Sequence, residues 1–508
     1  MIVSTRNPIG SAWEIEAPYH RRVFMTDEEL KKNPPSRNPI TRYRRALQND
    51  AFAGGVLVIA ALLALLWANS PAREAYFAIA ETHFGPGAIG LNLSVETWAA
   101  DAVLAVFFFT VGMELKEEFT IGSLRSIRKA AVPVIAAITG MLGPIGVYCA
   151  VQAITGAHIY QGWAIPVATD IAFALGILSL SGKGMPSAAK VFLMTLAVAD
   201  DLGGIIVIAV FFSSGISFAW LAGGVVSVAV FAFLCAKRWQ AWWNLWPLGI
   251  LAWYCVFQSG IHATIAAVAL GLVIPTALKK GEIEPLTEYF IGKFNFWSAG
   301  VAVPVFAFFA AGVSVVDSGG LGALVTDPVA IGIYLGLPIG KLVGIAGGTW
   351  IIVKVFRLQL DKTLTLADII PVSLVAGIGF TVSLLIATLS FPATDPHEAH
   401  ARVGVLIGSL LAALLGSLAT RLRVHYRAKH DLLFEVEHDE PGIIDDTEPA
   451  PHKATGTETA RNNEPLNEGA ERRKNEVLPN VEGKAHRANR KSHLNPSYFR
   501  LHLKKVCE

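Results

Sequence analysis

Four charged residues lie well inside long apolar stretches of this chain: Asp170, Asp200, Asp201 and Lys341. Charge within an apolar span is costly, and its retention indicates a function by default. A helix end or a structural ion pair would explain one such residue more easily than three carboxylates and one ammonium together. Their chemistry is that of a cation site, a proton carrier, or both.

Asp200 and Asp201 are adjacent, in the segment LAVADDLGG (196–204). Neighbours on a helix point about 100° apart, since a turn holds about 3.6 residues. They cannot both face one point. We therefore expect one to face a water-filled cavity and bind a cation while the other pairs with a cationic partner, for which Lys341 in LPIGK is the candidate.

Sodium is a hard cation that prefers oxygen ligands, which carboxylates, a threonine hydroxyl and freed backbone carbonyls can supply. Burial disfavours the charged form of a carboxyl group, so a buried aspartate can release its proton near neutral pH and then hold sodium. Competition between the two ions for the same oxygens would make such a site an exchanger.

The elements that must hold these residues are membrane spans. The chain has 508 residues, of which 53% are hydrophobic and only 16% charged, against about a quarter charged in soluble proteins. A bilayer-spanning helix needs about 20 mostly apolar residues. Twelve stretches qualify: 51–69, 98–113, 130–152, 161–181, 187–212, 216–235, 241–257, 259–276, 296–316, 328–353, 367–391 and 402–420. The runs do not alternate, which argues against a β-barrel, and we predict an all-α membrane protein of about twelve transmembrane helices.

Two of these spans are interrupted. Span 4 contains AIPVATD (164–170), and span 11 contains GIGFT (377–381). Both would free backbone groups at membrane depth, which is tolerated only where they line a cavity or are buried in protein. A kink or close helix packing is the plainer explanation of either break alone. They lie in the middle of spans 3–5 and 10–12, and corresponding breaks in two halves indicate an inverted-repeat binding site.

The polar ends divide the chain into three parts. We predict a cytoplasmic polar arm (1–49), a transmembrane domain (50–422) and a disordered cytoplasmic tail (423–508), whose composition cannot bury enough surface to fold. The arm has no apolar core and is not a signal peptide. Basic loops alternate with loops nearly free of Lys and Arg, which places both termini in the cytoplasm. The net charge of +2, without a basic stripe, gives no indication of nucleic-acid binding.

The chain resembles the NhaA family of bacterial sodium/proton antiporters. The resemblance runs in order over about residues 45–422, and the adjacent aspartates with their flanks are its most specific part. The resembling segments are FFFTVGMELKEEFTIGSLR (107–125), VATDIAFALG (167–176), LAVADDLGG (196–204), GIHAT (260–264), LPIGKLVGI (337–345) and GIGFTVSLLIA (377–387).

This resemblance implies a transporter, not an enzyme, that exchanges Na⁺ or Li⁺ for H⁺ across the inner membrane. It implies an electrogenic, pH-regulated cycle by alternating access, with inverted-topology repeats, discontinuous helices 4 and 11, and no cofactor. It also implies a homodimer formed largely through the stretch Gly85–Thr97.

The resemblance also implies roles for individual residues. Asp201 would be the principal ion ligand, and Asp200 would assist it and pair with Lys341 in some states. Asp170 and Thr169 would support the crossing of the two broken helices, where half-helix ends carry about half a unit charge.

A third group of residues matches the family's cytoplasmic pH-sensing cluster: Glu114, Glu117 and Glu118. Two features depart from the family pattern. Glu117 stands where some members have a basic residue, and the histidines that some members carry between helices 8 and 9 are absent from FIGKFNF (290–296).

Two enzyme classes also use buried aspartates. An intramembrane aspartyl protease carries Tyr-Asp on one helix and Gly-x-Gly-Asp on the next. Neither Thr169-Asp170 nor Ala199-Asp200 fits this pattern. A magnesium-dependent prenyltransferase needs Asp-rich motifs, but Leu-Gly-Gly follows Asp201. Carboxylates paired with a lysine also suit exchange better than a passive channel.

Overall fold

The computed structural model describes residues 39–430 except 48, 126, 214, 240, 280, 359, 362 and 393. Within them the chain is helical apart from one short hairpin, in which β1 (His83–Phe84) pairs antiparallel with β2 (Leu93–Ser94). The α-helices are α1 (Pro39–Ala46), α2 (Asp50–Ala68), α3 (Arg73–Ala80), α4 (Val95–Trp98), α5 (Leu104–Thr120), α6 (Ile127–Thr155), α7 (Ile171–Ser181), α8 (Ser187–Phe211), α9 (Phe218–Lys237), α10 (Trp242–Gln258), α11 (Thr264–Leu272), α12 (Leu286–Trp297), α13 (Val303–Ala310), α14 (Gly320–Thr326), α15 (Pro328–Leu335), α16 (Gly348–Lys354), α17 (Leu366–Val375), α18 (Phe380–Ser390) and α19 (Pro396–Lys429).

Short segments of other helical types extend several of these helices. The 3₁₀ turns are Gly87–Ile89, Ser123–Arg125 and Gln161–Val167. The π-helical segments are Ala99–Val103, Ser298–Ala302, Gly336–Gly340 and Leu342–Gly347. Lys341 lies between the last two, and π-bulges inside α-helices occur frequently at functional sites.

Eight helical stretches among the described residues are long and apolar enough to cross a membrane, and two bent helix pairs bring the number to ten if each pair is one span. This confirms an all-helical, multi-pass membrane protein. The count of twelve stays a prediction, as do the inverted repeats. The difference lies at 241–276, where α10 has 17 residues and α11 has 9.

Polar side chains begin several helices by satisfying backbone N–H groups that have no partner within the helix. Asn49 accepts from the N–H groups of Ala51 and Phe52 before α2. Thr365 and Asp368 form a reciprocal capping box at the start of α17. The first turns of both helices are therefore fixed by the local sequence.

Glycines bring α6 against the two π-helical segments around Lys341. A Cβ on Gly143 would lie 2.2 Å from the carbonyl oxygen of Gly340, and a Cβ on Gly344 would lie 2.3 Å from that of Thr139. Small residues allow such close backbone approach between membrane helices. This contact fixes the position of Lys341 in the bundle.

The structure describes only the parts of the predicted arm and tail that adjoin the transmembrane domain. Helix α1 belongs to the predicted arm, and α19 continues as far as Lys429. Residues 1–38 of the arm and 431–508 of the tail lie outside the described residues. The division into three parts therefore stays a prediction.

Candidate ion-binding site

The two interrupted spans meet inside the bundle. The chain bends by 41° between the 3₁₀ turn Gln161–Val167 and α7, and by 54° between α17 and α18. The backbone N–H of Asp170 donates to the carbonyl oxygen of Ile378 at 2.6 Å, and the Thr169 hydroxyl donates to that of Ala376 at 2.7 Å. Each break therefore satisfies backbone groups that the other leaves free.

Asp170 holds the first turns of two helices at once. Its Oδ1 accepts from the N–H of Phe173 at 3.0 Å, which caps α7. Its Oδ2 accepts from the hydroxyl of Thr381 at 2.9 Å and from its N–H at 3.3 Å, at the start of α18. Helix N-termini carry partial positive charge, so one buried carboxylate offsets two such ends.

Glycine is required where the second break passes its neighbours. A Cβ on Gly377 would lie 2.6 Å from the carbonyl oxygen of Leu337, and a Cβ on Gly379 would lie 2.3 Å from Ser383 Oγ and 2.8 Å from the oxygen of Ala168. Both breaks and the helix that bears Lys341 are thus in backbone contact.

Asp200 and Lys341 form a buried ion pair. Nζ of Lys341 lies 2.5 Å from Oδ2 of Asp200, and neither side chain is exposed. The other oxygen of Asp200, Oδ1, is buried without a hydrogen-bond partner. Two charges removed from water stabilise each other only when the pair is close, and breaking such a pair is strongly destabilising.

Asp201 has different surroundings although it is the next residue of α8. It is 5% exposed, and its Oδ1 is buried without a hydrogen-bond partner. The charges of Asp200, Asp170 and Glu114 act on it, and the charge of Lys341 acts in the opposite sense. An unpartnered buried carboxylate oxygen among like charges is costly unless a cation or a proton occupies it.

The structure therefore brings five of the predicted site residues together and places the other three on a neighbouring helix. Asp170, Thr169, Asp200, Asp201 and Lys341 gather around the crossing. The three glutamates of α5 lie one helix away: Glu114 is exposed, Glu117 half-buried and Glu118 buried. Of these three, Glu114 is the one whose charge reaches Asp201.

Three contacts were not predicted from the sequence. Thr381 belongs to the segment GIGFT, but nothing in the sequence predicts its contact with Asp170. The one indication was a hydroxyl side chain directly after the helix break. The buried pairs of Asp368 with Arg423 at 2.8 Å and Arg427 at 2.7 Å were also missed. Their signal was the i,i+4 spacing of the two arginines on α19.

The arrangement can hold one small cation or protons among carboxylate, hydroxyl and carbonyl oxygens. Asp200 Oδ1 and Asp201 Oδ1 are both buried and lack hydrogen-bond partners, and the lysine balances one of the two negative charges. Oxygen donors of this kind suit hard cations. The chemistry of the site is thus ion binding and proton release.

Comparison with known proteins points the same way. The family model described as Na+/H+ antiporter 1 matches residues 44–420. A protein of Arthrobacter sp. (strain FB24) named Na(+)/H(+) antiporter NhaA is 47% identical over 418 residues, which cover 80% of this chain and 90% of the relative. Proteins with the same name from Thermobifida fusca (strain YX) and Renibacterium salmoninarum are 46% and 43% identical, covering 77% and 80% of this chain and 97% and 94% of theirs.

Proposed function

The chain belongs to the NhaA family of Na⁺/H⁺ antiporters and exchanges sodium ions for protons across a membrane, and we propose that Asp201 is the carboxylate on which the two ions compete. It is a transporter and not an enzyme, and neither the protease nor the prenyltransferase alternative is favoured. The observation that carries the proposal is the buried Oδ1 of Asp201, which lacks a hydrogen-bond partner beside the Asp200–Lys341 ion pair.

Competition at Asp201 accounts for exchange without further chemistry. The protonated carboxyl group is neutral and suits a buried site. Once the proton leaves, the carboxylate needs a cation, and Na⁺ or Li⁺ supplies the charge through oxygen ligands. Either ion excludes the other because both need the same oxygens.

Asp200 assists in this cycle. Its Oδ1 has no hydrogen-bond partner and is available as a second oxygen, while Oδ2 is paired with Lys341. Two carboxylates and one ammonium provide more than one titrating group. More protons than sodium ions can therefore move in a cycle, which makes the exchange electrogenic.

Asp170 and Thr169 act as supports. Their oxygens are engaged in hydrogen bonds that join the two broken helices. A sodium ion bound to Asp170 would have to displace the partners that hold α7 and α18 together. Alternating access can then proceed by rocking the bundle around this crossing, as expected for inverted repeats.

The proposed topology has twelve spans, with α10 and α11 as the seventh and eighth. Helix α11 is short for a bilayer but is enclosed by protein. A Cβ on Gly271 would lie 2.5 Å from the carbonyl oxygen of Phe109 on α5. Basic residues before α2 and at the end of α19 support a topology in which both termini lie in the cytoplasm of an inner-membrane protein.

Two further family features are proposed for this chain. Glu114, Glu117 and Glu118 regulate exchange by pH from the end of α5, next to the ion site. The stretch Gly85–Thr97, which contains β2, joins two copies of the chain into a homodimer.

The decisive experiment measures the proton gradient in inverted membrane vesicles. Sodium, lithium and then potassium are added at several pH values, with wild-type protein and with empty vesicles. We expect sodium and lithium, but not potassium, to dissipate the gradient with a pH-dependent rate. A response to potassium equal to that to sodium would contradict the proposed selectivity.

A further inference from the structure

A second cluster of ligating side chains lies away from the ion site. Among the described residues, Asp327, His397 and His400 offer one oxygen and two nitrogens that lie within 4.8 Å of one another. Asp327 Oδ2 lies 3.2 Å from His397 Nδ1 and 3.0 Å from His400 Nδ1. Asp327 precedes α15, and both histidines lie in the first turns of α19.

The two oxygens of Asp327 have separate tasks. Oδ1 accepts from the N–H of Val329 at 2.8 Å and of Ala330 at 3.4 Å, which caps α15. This cap fixes the orientation of the carboxylate. Oδ2 is thereby directed at the two imidazole rings.

The contacts of His400 show which of its two ring nitrogens carries the hydrogen. Its Nε2 lies 3.4 Å from the carbonyl oxygen of Ser318, and a carbonyl can only accept, so Nε2 carries the hydrogen. In the neutral ring Nδ1 then presents a lone pair to Asp327 Oδ2. Neither His400 Nδ1 nor His397 Nδ1 has a partner in hydrogen-bond geometry, although both are buried.

A neutral His400 ring presents its Nδ1 lone pair to a carboxylate oxygen 3.0 Å away, an arrangement that a cation between the two atoms stabilises. In a tetrahedral zinc site with bonds of about 2.0–2.1 Å, two ligand atoms lie about 3.3 Å apart. The two distances to Asp327 Oδ2 are close to that value. The hydrogen bond from Nε2 to a backbone carbonyl is also the usual outer contact of a metal-bound histidine.

We propose that Asp327, His397 and His400 bind one transition-metal ion of the zinc class. Imidazole nitrogens with a carboxylate suit Zn²⁺, Cu²⁺ and Ni²⁺ better than sodium, which prefers an all-oxygen site. The site is therefore distinct in chemistry from the one that carries the transported ions. It joins the start of α15 to the start of α19.

The surroundings favour a cation and allow it to enter. Arg402 is paired with two carboxylates, Glu96 and Glu398, so this neighbouring group carries net negative charge. A cavity of about 440 Å³ lies beside His400 and is also lined by Asp317 and Asp395. The cavity brings solvent to the His400 side chain, one of the three ligands.

The test uses the full chain, purified in detergent with any purification tag removed and treated with a chelator. Zinc chloride is titrated by calorimetry, and the bound metal is counted by mass spectrometry after dialysis. We expect one tightly bound zinc per chain and a rise of the unfolding temperature, since a ligand of the folded state stabilises it. Cobalt in place of zinc should give the absorption bands of a tetrahedral site.

Three variants make the result specific. His400→Gln removes one ligand, and Asp327→Asn removes the anionic ligand but keeps an oxygen to cap α15. Each should raise the zinc dissociation constant about tenfold or more. His425→Gln, an exposed residue of the same helix, is the matched control and should bind zinc as the wild type does.

Two outcomes would overturn the proposal. One is the absence of stoichiometric zinc binding by the wild type. This outcome overturns the proposal even if the unfolding temperature of the wild type changes with pH. The other is equal zinc binding by Asp327→Asn and the His425→Gln control. If His400→Gln fails to fold, zinc binding by Asp327→Asn decides the proposal, because this variant keeps the oxygen that caps α15.

Discussion

Asp200 and Asp201 show how one helix gives two identical side chains different surroundings. Asp200 is paired with Lys341, whereas Asp201 faces the neighbouring carboxylates with one oxygen that lacks a hydrogen-bond partner. The angular step of about 100° between neighbours on a helix separates them. In the proposed cycle the pair supplies charge balance, and the second carboxylate supplies the exchangeable site.

At this scale we expect Asp201→Asn to abolish exchange while the protein still inserts and folds. Asparagine keeps the size and one oxygen ligand but cannot ionise, so it neither carries a proton nor balances sodium. The measurement is sodium-induced collapse of a proton gradient in inverted vesicles. Glu284→Gln, an exposed residue between α11 and α12, is the control and should transport normally. If well-expressed Asp201→Asn still collapses the proton gradient when sodium is added, the assignment of Asp201 is wrong.

Lys341→Ala should lower the thermal stability of the purified protein. Removal of the ammonium leaves Asp200 buried without its partner, and breaking a buried pair costs about 3–5 kcal/mol. The unfolding temperature in detergent is compared with that of Lys190→Ala, which removes an exposed lysine from α8, the same helix as Asp200. Equal unfolding temperatures for the two variants would show that the pair contributes no stability.

At the scale of elements, the site depends on two helices that stop and restart inside the bundle. Their free backbone groups are satisfied by each other and by Asp170, whose oxygens hold the first turns of α7 and α18. Irregular backbone at membrane depth is tolerated only when protein encloses it in this way. The crossing also holds Asp170 near enough to Asp201 for their charges to interact.

Gly377→Ala should lower both the unfolding temperature and the transport rate. The added Cβ would lie 2.6 Å from the backbone oxygen of Leu337, so one of the two helices must shift. Gly347→Ala is the control, because the Cβ added there meets nothing within 4 Å. The two variants are compared by thermal unfolding and by the vesicle assay. Similar loss in both would show that the close contact with Leu337 does not decide the outcome.

At the scale of the whole molecule, exposed and buried surfaces are arranged as a bilayer requires. Large apolar side chains such as Leu66, Phe218 and Leu414 are exposed at 68%, 78% and 59%. Several charged side chains are instead buried and paired within the bundle, as for Asp200 with Lys341 and Asp368 with Arg427. Such an exposed apolar surface requires a lipid or detergent environment.

Residues 431–508 should be dispensable for transport. They lie beyond the last span and have the composition of a solvated segment, and the basic residues of α19 would remain to keep the C-terminus inside. We would truncate after His430 and measure expression, apparent sodium affinity and the pH profile. Unchanged affinity is the expected result. A shifted pH profile would show that the tail takes part in regulation.

The sequence by itself predicted the class of the molecule and the residues of the proposed site. Long apolar runs, and charges within them, have costs that depend mainly on burial in lipid, so composition alone predicts both. The same reasoning located the two breaks, because proline and glycine act on their own backbone. It did not settle the number of spans, since α10 and α11 have only 17 and 9 residues.

Only the tertiary structure decided which groups are partners. Lys341 meets Asp200 and not Asp201 across 141 residues of chain, and Thr381 meets Asp170 across 211. Asp327 meets His397 and His400 only because α15 and α19 begin side by side. Such pairings depend on distances of a few ångström between elements, which the packing of glycines and the capping of half-helices fix. No local property of the sequence contains that information.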